Sequence, residues 1–298
     1  MEILPQIIVF AIIASAIYAL LATGLTLTFS TLEFINFAHG DMAMLGAFFF
    51  FSLYVSHGLP LTIALLLTII IAALLGIVIE RTTFRPVRDK MAFIPLVLSI
   101  GVAILAQSLI TMFYGGGSQS YYKGGGSATV YNLFDGKIII TLGQIMIVVT
   151  AIVLLTGLYI FLKKTRTGKA IRAVSDNKEV AAIMGIDVNR TIMILFAIAT
   201  TLAAVAGVLV AFDQNLYPYM GLMLSIKVFA AIVIGGVGKF RGAILGAIII
   251  GFSENLIVGL TSIKSSYKEL IVFTILIFVL MYKPYGIFGG QKEEIESR

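Results

Sequence analysis

The sequence predicts an all-α protein, a polytopic bundle of transmembrane helices that forms one domain over residues 1–298. Hydrophobic residues make up 59% of the chain and charged residues 12%, about half the charged share of a soluble domain. The mean hydropathy is +1.05. Many apolar residues fall in runs of about 20, the length of helix that crosses a bilayer. This composition excludes a soluble globular domain, a disordered chain and a disulfide-rich secreted scaffold.

Nine apolar segments follow one another along the chain, and two of them are short. Seven meet or nearly meet the length of a full span: 6–28, 42–56, 60–80, 92–113, 142–162, 191–212 and 243–260. The two shorter ones are 223–236 and 268–283. We therefore expect eight or nine membrane segments, including broken or re-entrant helices, and the number depends on whether 223–236 crosses fully.

Basic residues set the orientation of these segments. Of 21 Lys and Arg residues, seven lie between Lys163 and Arg190 and four between Arg81 and Lys90. Short basic loops face the cytoplasm, so we expect both loops inside, the loop 114–141 outside and, with nine crossings, the N-terminus outside. The net charge of +6 therefore reflects topology and does not indicate a nucleic-acid partner.

The outer loop 114–141 has an unusual composition. It contains two Gly-Gly-Gly-Ser runs separated by a short patch with two tyrosines. Chains rich in glycine and serine are flexible. The sequence therefore predicts an outer flexible loop, either a plain connector or a mobile surface for an external partner.

The stretch 29–41, with the sequence FSTLEFINFAHGD, places polar residues next to strongly apolar spans. Polar groups at membrane depth usually face a cavity or one another. One interpretation is an interrupted segment along a solute path, with Asn36, His39, Gly40 and Asp41 on that path. The alternative is a cytoplasmic loop in which Asp41 caps the next helix.

A second polar group falls inside the predicted span 243–260, where Glu254 is followed by Asn255. Glu254 is a candidate residue of the translocation path or of a contact with a second transmembrane subunit. The alternative is a satisfied polar contact between two helices. Lys227 has a similar ambiguity, because a lysine near the end of a span can extend its ammonium group to the interface.

The residues do not indicate catalysis, a metal site or a cofactor. The chain has no cysteine and two histidines, and His39 and Asp41 are two positions apart, so they do not share a helix face. The run GGVGK at 235–239 lacks the glycine and the Ser or Thr of a nucleotide-binding loop, since Val233 and Phe240 stand there. We expect no catalytic residue, and an intramembrane enzyme has the least support.

The largest basic loop, 163–190, predicts one or two short helices. The polar residues that break the run and offer an N-cap are Ser175, Asp176 and Asn177. The apolar residues at helical spacing after them are Val180, Ile183 and Met184. Gly185 is a natural helix stop. Such a helix either lies in the headgroup region or docks into a groove of a cytosolic partner.

Three segments, 35–48, 172–186 and 235–247, together resemble the branched-chain amino acid permease family, and within it the LivH-type membrane subunits. Their sequences are INFAHGDMAMLGAF, RAVSDNKEVAAIMGI and GGVGKFRGAILGA. The resemblance covers essentially the whole chain. It implies the permease subunit of an ABC importer, in the cell inner (cytoplasmic) membrane, that carries leucine, isoleucine and valine into the cytoplasm.

The resemblance also implies partners and residue roles. The expected partners are membrane lipid, a homologous second permease subunit, two cytosolic ATPase subunits that hold ATP and magnesium, and an extracytoplasmic solute-binding protein. The family's coupling motif, Glu-Ala-Ala, three residues and Gly, is similar to 179–185, with Val180 where alanine is common. The residues expected to couple to the ATPase are Arg172, Asp176, Glu179, Ala182 and Gly185. The match of Asn36–Gly40 to the family's NFAHG segment supports a role in the path.

Two other functions remain open at this point. One is the same machinery with another small solute, such as urea, a short amide or a different amino acid. The other is a proton-coupled secondary transporter that works alone. That transporter needs buried carboxylates, and the candidates are Glu254, Asp41 and Glu33.

Overall fold

The computed structural model describes residues 4–121, 130–133, 138–261, 264, 267–283 and 286–288 of the chain. The helices in these ranges are α1 (Leu4–Leu32), α2 (His39–Phe51), α3 (Leu61–Ile79), α4 (Phe93–Tyr114), α5 (Leu142–Lys164), α6 (Arg166–Asp176), α7 (Lys178–Ile183), α8 (Val188–Asp213), α9 (Met220–Gly235), α10 (Phe240–Thr261) and α11 (Lys268–Tyr282). An antiparallel hairpin is formed by β1 (Val130–Leu133) and β2 (Ile138–Thr141). α2 and α3 each continue into one π-helical turn, Ser52–Ser56 and Glu80–Phe84.

Six helices of the described ranges are long and apolar enough to cross a membrane: α1, α3 with its π-helical turn, α4, α5, α8 and α10. α9 is a shorter apolar helix of 16 residues. These helices confirm the predicted all-α class and a multi-pass membrane protein. The number of eight or nine membrane segments stays a prediction, because α2, α9 and α11 are shorter than a full span.

Both basic loops lie at the same end of the bundle, which we call the basic end. Arg88, after α3, hydrogen-bonds to Asn189 in the first turn of α8. Ser175 in α6 hydrogen-bonds to Thr31, in the last turn of α1, at 2.8 Å. The start of α1 lies at the opposite end, where Gln6 bonds to strand β2. The positive-inside rule assigns the basic end to the cytoplasm and the opposite end, the outer end, to the exterior.

The outer loop 114–141 is described in part. Gln119 and Leu216 exchange two backbone hydrogen bonds of 2.8 Å. Tyr121 is buried, and its hydroxyl donates to the carbonyl oxygen of Ala47 at 2.9 Å. The second Gly-Gly-Gly-Ser run lies outside the described residues, so the flexibility of the loop stays a prediction.

α1 and α8 form the centre of the bundle and are buried along most of their length. Small residues let their neighbours approach closely. A Cβ added to Gly207 of α8 would lie 1.8 Å from the carbonyl oxygen of Ala43 in α2. A Cβ added to Gly251 of α10 would lie 2.3 Å from the hydroxyl of Ser15 in α1. Small residues are the usual means by which helices pack in membranes, where no hydrophobic force drives them together.

α2 begins inside the bundle and not at its basic end. Nε2 of His39, the first residue of α2, lies 3.1 Å from the carbonyl oxygen of Leu21. α1 continues from Leu21 to Leu32, about 16 Å further along its axis. Residues 33–38 therefore bring the chain back from the basic end, beginning with Glu33 at a φ of +62°. The interruption predicted within 29–41 is present.

α9 also begins inside the bundle. A Cβ added to Gly221 would lie 2.4 Å from Oδ1 of Asp41, so the first turns of α9 and α2 are in contact. The side chain of Asp41 bonds to Gln107 of α4, about 10 Å below the outer end of that helix. Residues 214–219 therefore descend from the outer end of α8 before α9 starts. The two broken segments meet at their N-terminal turns.

The contact between α2 and α8 can be tested with Gly207→Ala and a matched control, Gly157→Ala. A methyl group at 207 meets the backbone of α2, so we expect the free energy of unfolding to fall by about 1–3 kcal/mol. Gly157 in α5 has no atom within 4 Å of an added Cβ. Its substitution should be neutral or stabilise by up to about 1 kcal/mol. Thermal unfolding in detergent, followed by circular dichroism, compares the two, and equal midpoints would contradict the close contact.

Candidate functional site

The predicted path residues 36–41 form a compact turn with hydrogen bonds within the turn and to neighbouring helices. Oδ1 of Asn36 accepts from the backbone N–H of Ala38 at 3.1 Å. The N–H of Gly40 donates to Oγ of Ser225 in α9 at 3.0 Å. Oδ1 of Asp41 accepts from Nε2 of Gln107 at 2.9 Å. The four predicted residues, Asn36, His39, Gly40 and Asp41, are all buried.

The start of α2 packs closely against α9 at this turn. A Cβ added to Gly40 would lie 2.2 Å from the carbonyl oxygen of Gly221. The alternative in which Asp41 caps α2 is wrong, because the N-cap is Ala38 and the side chain of Asp41 bonds to Gln107. The turn fixes the starts of α2 and α9 against each other. A role of 36–41 on the translocation path stays a prediction.

A cavity of about 760 Å³ opens among α1, α9, α10, α11 and the outer ends of α5 and α8. Ile7, near the start of α1, and Lys268, the first residue of α11, both line it, so it lies toward the outer end. The charged side chains that line it are Asp213, Lys227, Glu254, Lys268 and Glu269. Its apolar walls include Ile13, Ile17, Met220, Met223, Leu224 and Val258. Of the predicted path residues, Glu254 lines this cavity.

Lys227 is the centre of a charge cluster in this cavity. Its Nζ donates to Oε2 of Glu254 at 3.0 Å and to the hydroxyl oxygen of Tyr18 at 3.2 Å. The hydroxyl of Tyr18 donates in turn to Oε1 of Glu254 at 2.7 Å. Oε1 of Glu269 lies further from Nζ, at 3.7 Å. The cluster therefore joins α1, α9, α10 and α11 through one ammonium group.

The cavity combines the general features of a small-molecule site with charges of both signs. Ligand sites are concave and mostly apolar, with a few polar groups that fix orientation. Lys227 is 9% exposed and Glu254 1% exposed, so both charges are largely withdrawn from water. A second lysine, Lys268, donates to Oδ1 of Asn255 at 3.0 Å nearby. The cavity thus offers both signs of charge beside an aliphatic wall.

Sequence reasoning missed the pairing of Lys227 with Glu254. The suggestion that Lys227 extends to the interface is wrong, since its ammonium group points to a buried carboxylate. A signal was present in the hairpin of α9 and α10, which are joined by the four residues 236–239. Counting back equally from this break puts Lys227 opposite 248, less than two helical turns from Glu254.

A short helical surface at the basic end carries the predicted coupling residues, all of which are exposed: Arg172, Asp176, Glu179, Ala182 and Gly185. Asn177 caps α7, since its Oδ1 accepts from the N–H of Val180 at 2.9 Å. Gly185 has a φ of +81° and donates to the carbonyl oxygen of Ala182 at 3.0 Å. The apolar side chains that α7 and its end expose, called the α7 patch, are Val180, Ile183 and Met184, at 55%, 84% and 77%.

Close contacts tie this surface to the spanning helices. A Cβ added to Gly168 of α6 would lie 2.2 Å from the carbonyl oxygen of Phe161 in α5. Thr165 caps α6 by accepting from the N–H of Gly168 at 2.9 Å. Asp187 caps α8 by accepting from the N–H of Arg190 at 2.9 Å. α6 therefore packs directly on the end of α5, and a capped turn connects α7 to the start of α8.

Residues 7–280 match the family described as "Branched-chain amino acid transport system / permease component". That match covers most of the chain. The chain belongs to this family. The permease assignment agrees with the spanning helices and with the resemblance of its three motifs, and it makes the chain the permease component of a transport system.

Named relatives extend the match to nearly the full length of the permease. The high-affinity branched-chain amino acid transport system permease protein LivH of Salmonella typhimurium is 32% identical, over 93% of this chain and 92% of that protein. The probable branched-chain amino acid transport permease protein LivH of Methanocaldococcus jannaschii is 34% identical, over 94% and 90%.

A solved structure shares the fold of the permease. PsaBC from Streptococcus pneumoniae, in complex with a Fab, superposes with a TM-score of 0.51 and covers 97% of this chain and 94% of that chain. The sequences are 14% identical, so this likeness concerns the helical arrangement alone.

The charge cluster predicts that a single variant and a double variant differ in their free energy of unfolding. Lys227→Met leaves the buried carboxylate of Glu254 without its cation, which should cost about 3–5 kcal/mol of unfolding free energy. Lys227→Met with Glu254→Gln removes both charges and should recover most of that loss. Thermal unfolding midpoints of the two variants in detergent provide the measurement. A double variant no more stable than the single one would show that the pair does not behave as a buried ion pair.

Proposed function

We propose that the chain is the membrane-spanning permease subunit of an ATP-driven ABC importer for branched-chain amino acids. An extracytoplasmic binding protein delivers leucine, isoleucine or valine at the outer end, and the solute leaves at the basic end, in the cytoplasm of the cell whose inner membrane holds the importer. The named relatives support the substrate class. The observation that carries the proposal is the pair of features at opposite ends, the outer cavity and the exposed α7 patch.

ATP hydrolysis belongs to partner subunits in this proposal. The run 235–239 lacks the residues of a nucleotide-binding loop, and its flanks lie in α9 and α10. Two cytosolic ATPase subunits therefore bind ATP and magnesium, and this chain binds no cofactor. The basic end is where they dock.

The α7 patch supports an assignment as the ATPase docking element. Three large apolar side chains stand exposed on a short helix among polar residues, a form that suits insertion into a groove of a partner. Closure of the ATPase dimer pushes on Glu179–Gly185. The contact of α6 with α5 at Gly168 and the cap of α8 at Asp187 transmit this movement to α5 and α8. These helices move as rigid bodies, and the movement switches the side of the membrane to which the solute path is open.

A homologous second permease subunit completes the membrane part of the importer. The outward faces of α3, α4 and α5 are apolar, and Leu66, Ile104 and Ile152 are exposed by 60%, 58% and 59%. Such faces contact lipid or another membrane helix. We assign part of this surface to the second subunit and the rest to lipid.

The cavity supports an amino acid over the alternative solutes. Urea and short amides carry no charge and need no ammonium or carboxylate group. The proton-coupled alternative is less supported at Glu254, because this carboxylate already pairs with Lys227. Of the Asp41 carboxylate, Oδ1 accepts from Gln107, while Oδ2 has no hydrogen-bond partner among the described residues.

Uptake by the purified complex tests the function. In proteoliposomes that contain the complex from its native membrane, we expect leucine uptake that requires ATP and the binding protein. Isoleucine and valine should compete with leucine, while urea and acetamide should not. Uptake driven by a pH gradient without ATP would instead support a secondary transporter, and competition by urea alone would move the substrate assignment to that solute.

The docking element predicts the effect of Ile183→Glu. A charge placed in an apolar groove of the ATPase should release the ATPase subunits during purification and lower uptake about tenfold or more. Ile183 is 84% exposed, so the permease itself should fold normally. Lys90→Glu, a charge change in the other basic loop, is the matched control. Normal ATPase recovery and uptake in Ile183→Glu would remove α7 as the docking element.

A further inference from the structure

We propose that Lys227 binds the carboxylate of a zwitterionic amino acid in the outer cavity, and that Glu269 is its exchangeable partner and receives the solute's ammonium group. The inference rests on the proposed function for its substrate class, because it requires an amino acid to pass through this chain. It assigns the charged head of the solute to named side chains.

The contacts of Lys227 divide into two fixed and one loose. Glu254 and Tyr18 lie within hydrogen-bond distance of Nζ, at 3.0 and 3.2 Å, and both are buried. They also hydrogen-bond to each other, which holds them in place. Glu269 lies at 3.7 Å, beyond a good hydrogen bond, and its side chain is 39% exposed. An incoming carboxylate therefore competes with Glu269 and not with Glu254.

The exchange keeps every charge paired. A solute carboxylate that replaces Glu269 on Lys227 releases the carboxylate of Glu269, and the solute's own ammonium group then pairs with it. Burying an unpaired charge is costly, whereas exchanging one ion pair for two avoids that cost. A solute with a carboxylate alone leaves Glu269 without a cation, and a neutral solute gains nothing from either group. The arrangement selects for a zwitterion.

The walls around the cluster suit the aliphatic side chain. Met220 and Met223 line the cavity with Leu224 on α9, and Val258 faces them from α10. Methionine is unbranched and adapts to different shapes. A wall of this kind accepts leucine, isoleucine and valine without a close fit to one of them. The volume of about 760 Å³ falls in the range of small-molecule pockets.

A purely structural ion pair is the competing explanation, and a double variant separates the two. Lys227→Met with Glu254→Gln removes the pair without leaving a lone buried charge. A structural pair predicts that this variant transports leucine normally once it has folded. A binding role predicts that ATP-driven leucine uptake falls about tenfold or more while the ATPase subunits remain bound. Lys264→Met, an exposed lysine outside the cavity, is the matched control and should transport normally.

Site protection measures binding without transport. The chain has no cysteine, so Met223→Cys in the complex places one thiol of this subunit in the cavity wall. A charged methanethiosulfonate reagent added from outside should label it, and millimolar leucine, without the binding protein, should slow labelling. Lys264→Cys, on the outer surface, should react at the same rate with or without leucine.

The variant Glu269→Gln makes this protection test specific for the carboxylate and ammonium groups of the solute. In Met223→Cys, leucine should protect better than 4-methylpentanoate, which lacks the amino group. Adding Glu269→Gln removes both the partner of leucine's ammonium group and the carboxylate that competes for Lys227. In this variant 4-methylpentanoate should therefore protect better than leucine. Adding Lys227→Met with Glu254→Gln should abolish protection by both compounds.

The outcomes separate this inference from the proposed function. Normal leucine uptake by the double variant, or no protection by leucine in a complex that imports it, overturns the site at Lys227. Protection by leucine in a complex that imports no leucine supports the site and removes the proposed importer function. An unchanged order of protection in Glu269→Gln overturns the exchange.

Discussion

Every polar group at membrane depth needs a partner in the protein or in a water-filled cavity, and this constraint organises the whole chain. α2 and α9 start inside the bundle, which exposes the free N–H groups of two helix starts. The N–H of Gly40 is satisfied by Ser225 of the other broken segment, and Asp41 adds a negative charge at the start of α2. Lys227 and Glu254 satisfy each other in the same way at the cavity. Polar groups at the start of α2 and within α9 and α10 thus find partners on other helices.

Close helix contacts make these interruptions possible. A short helix that begins in the interior must be enclosed by neighbours, since lipid offers its backbone no hydrogen bonds. Gly207 brings α8 against α2, and Gly221 brings α9 against Asp41. Larger side chains at these positions would hold the helices apart and open the turn at 36–41. Gly207 and Ala204 of α8 therefore determine how closely α2 can pack against α8.

The sequence predicted the spans well and the contacts between them poorly, for one physical reason. Hydrophobic length is a local property, so the segments 92–113 and 142–162 correspond closely to α4 and α5, and the short helix before Gly185 was recognisable from its cap and stop. The partners of buried groups are distant in sequence. Asp41 meets Gln107, and Lys227 meets Tyr18 across 209 positions. Residues 36–41 were predicted as candidates for a solute path for their polarity, and the structure adds that Gly40 and Asp41 bond to Ser225 and Gln107 on other helices.

The charge cluster is divided between separate helices, and this bears on how solute binding is coupled to conformational change. α9 and α10 are held together at Gly235, where an added Cβ would lie 1.9 Å from the carbonyl oxygen of Gly242. Lys227 and Glu254 lie on this hairpin, whereas Glu269 lies on α11. A shift of the hairpin against α11 would preserve the buried pair and change the distance to Glu269. A ligand moves a conformational equilibrium only if it binds one state better than the other. In the proposed site, the contact of 3.7 Å to Glu269 would supply such a difference, because it joins the α9–α10 hairpin to α11.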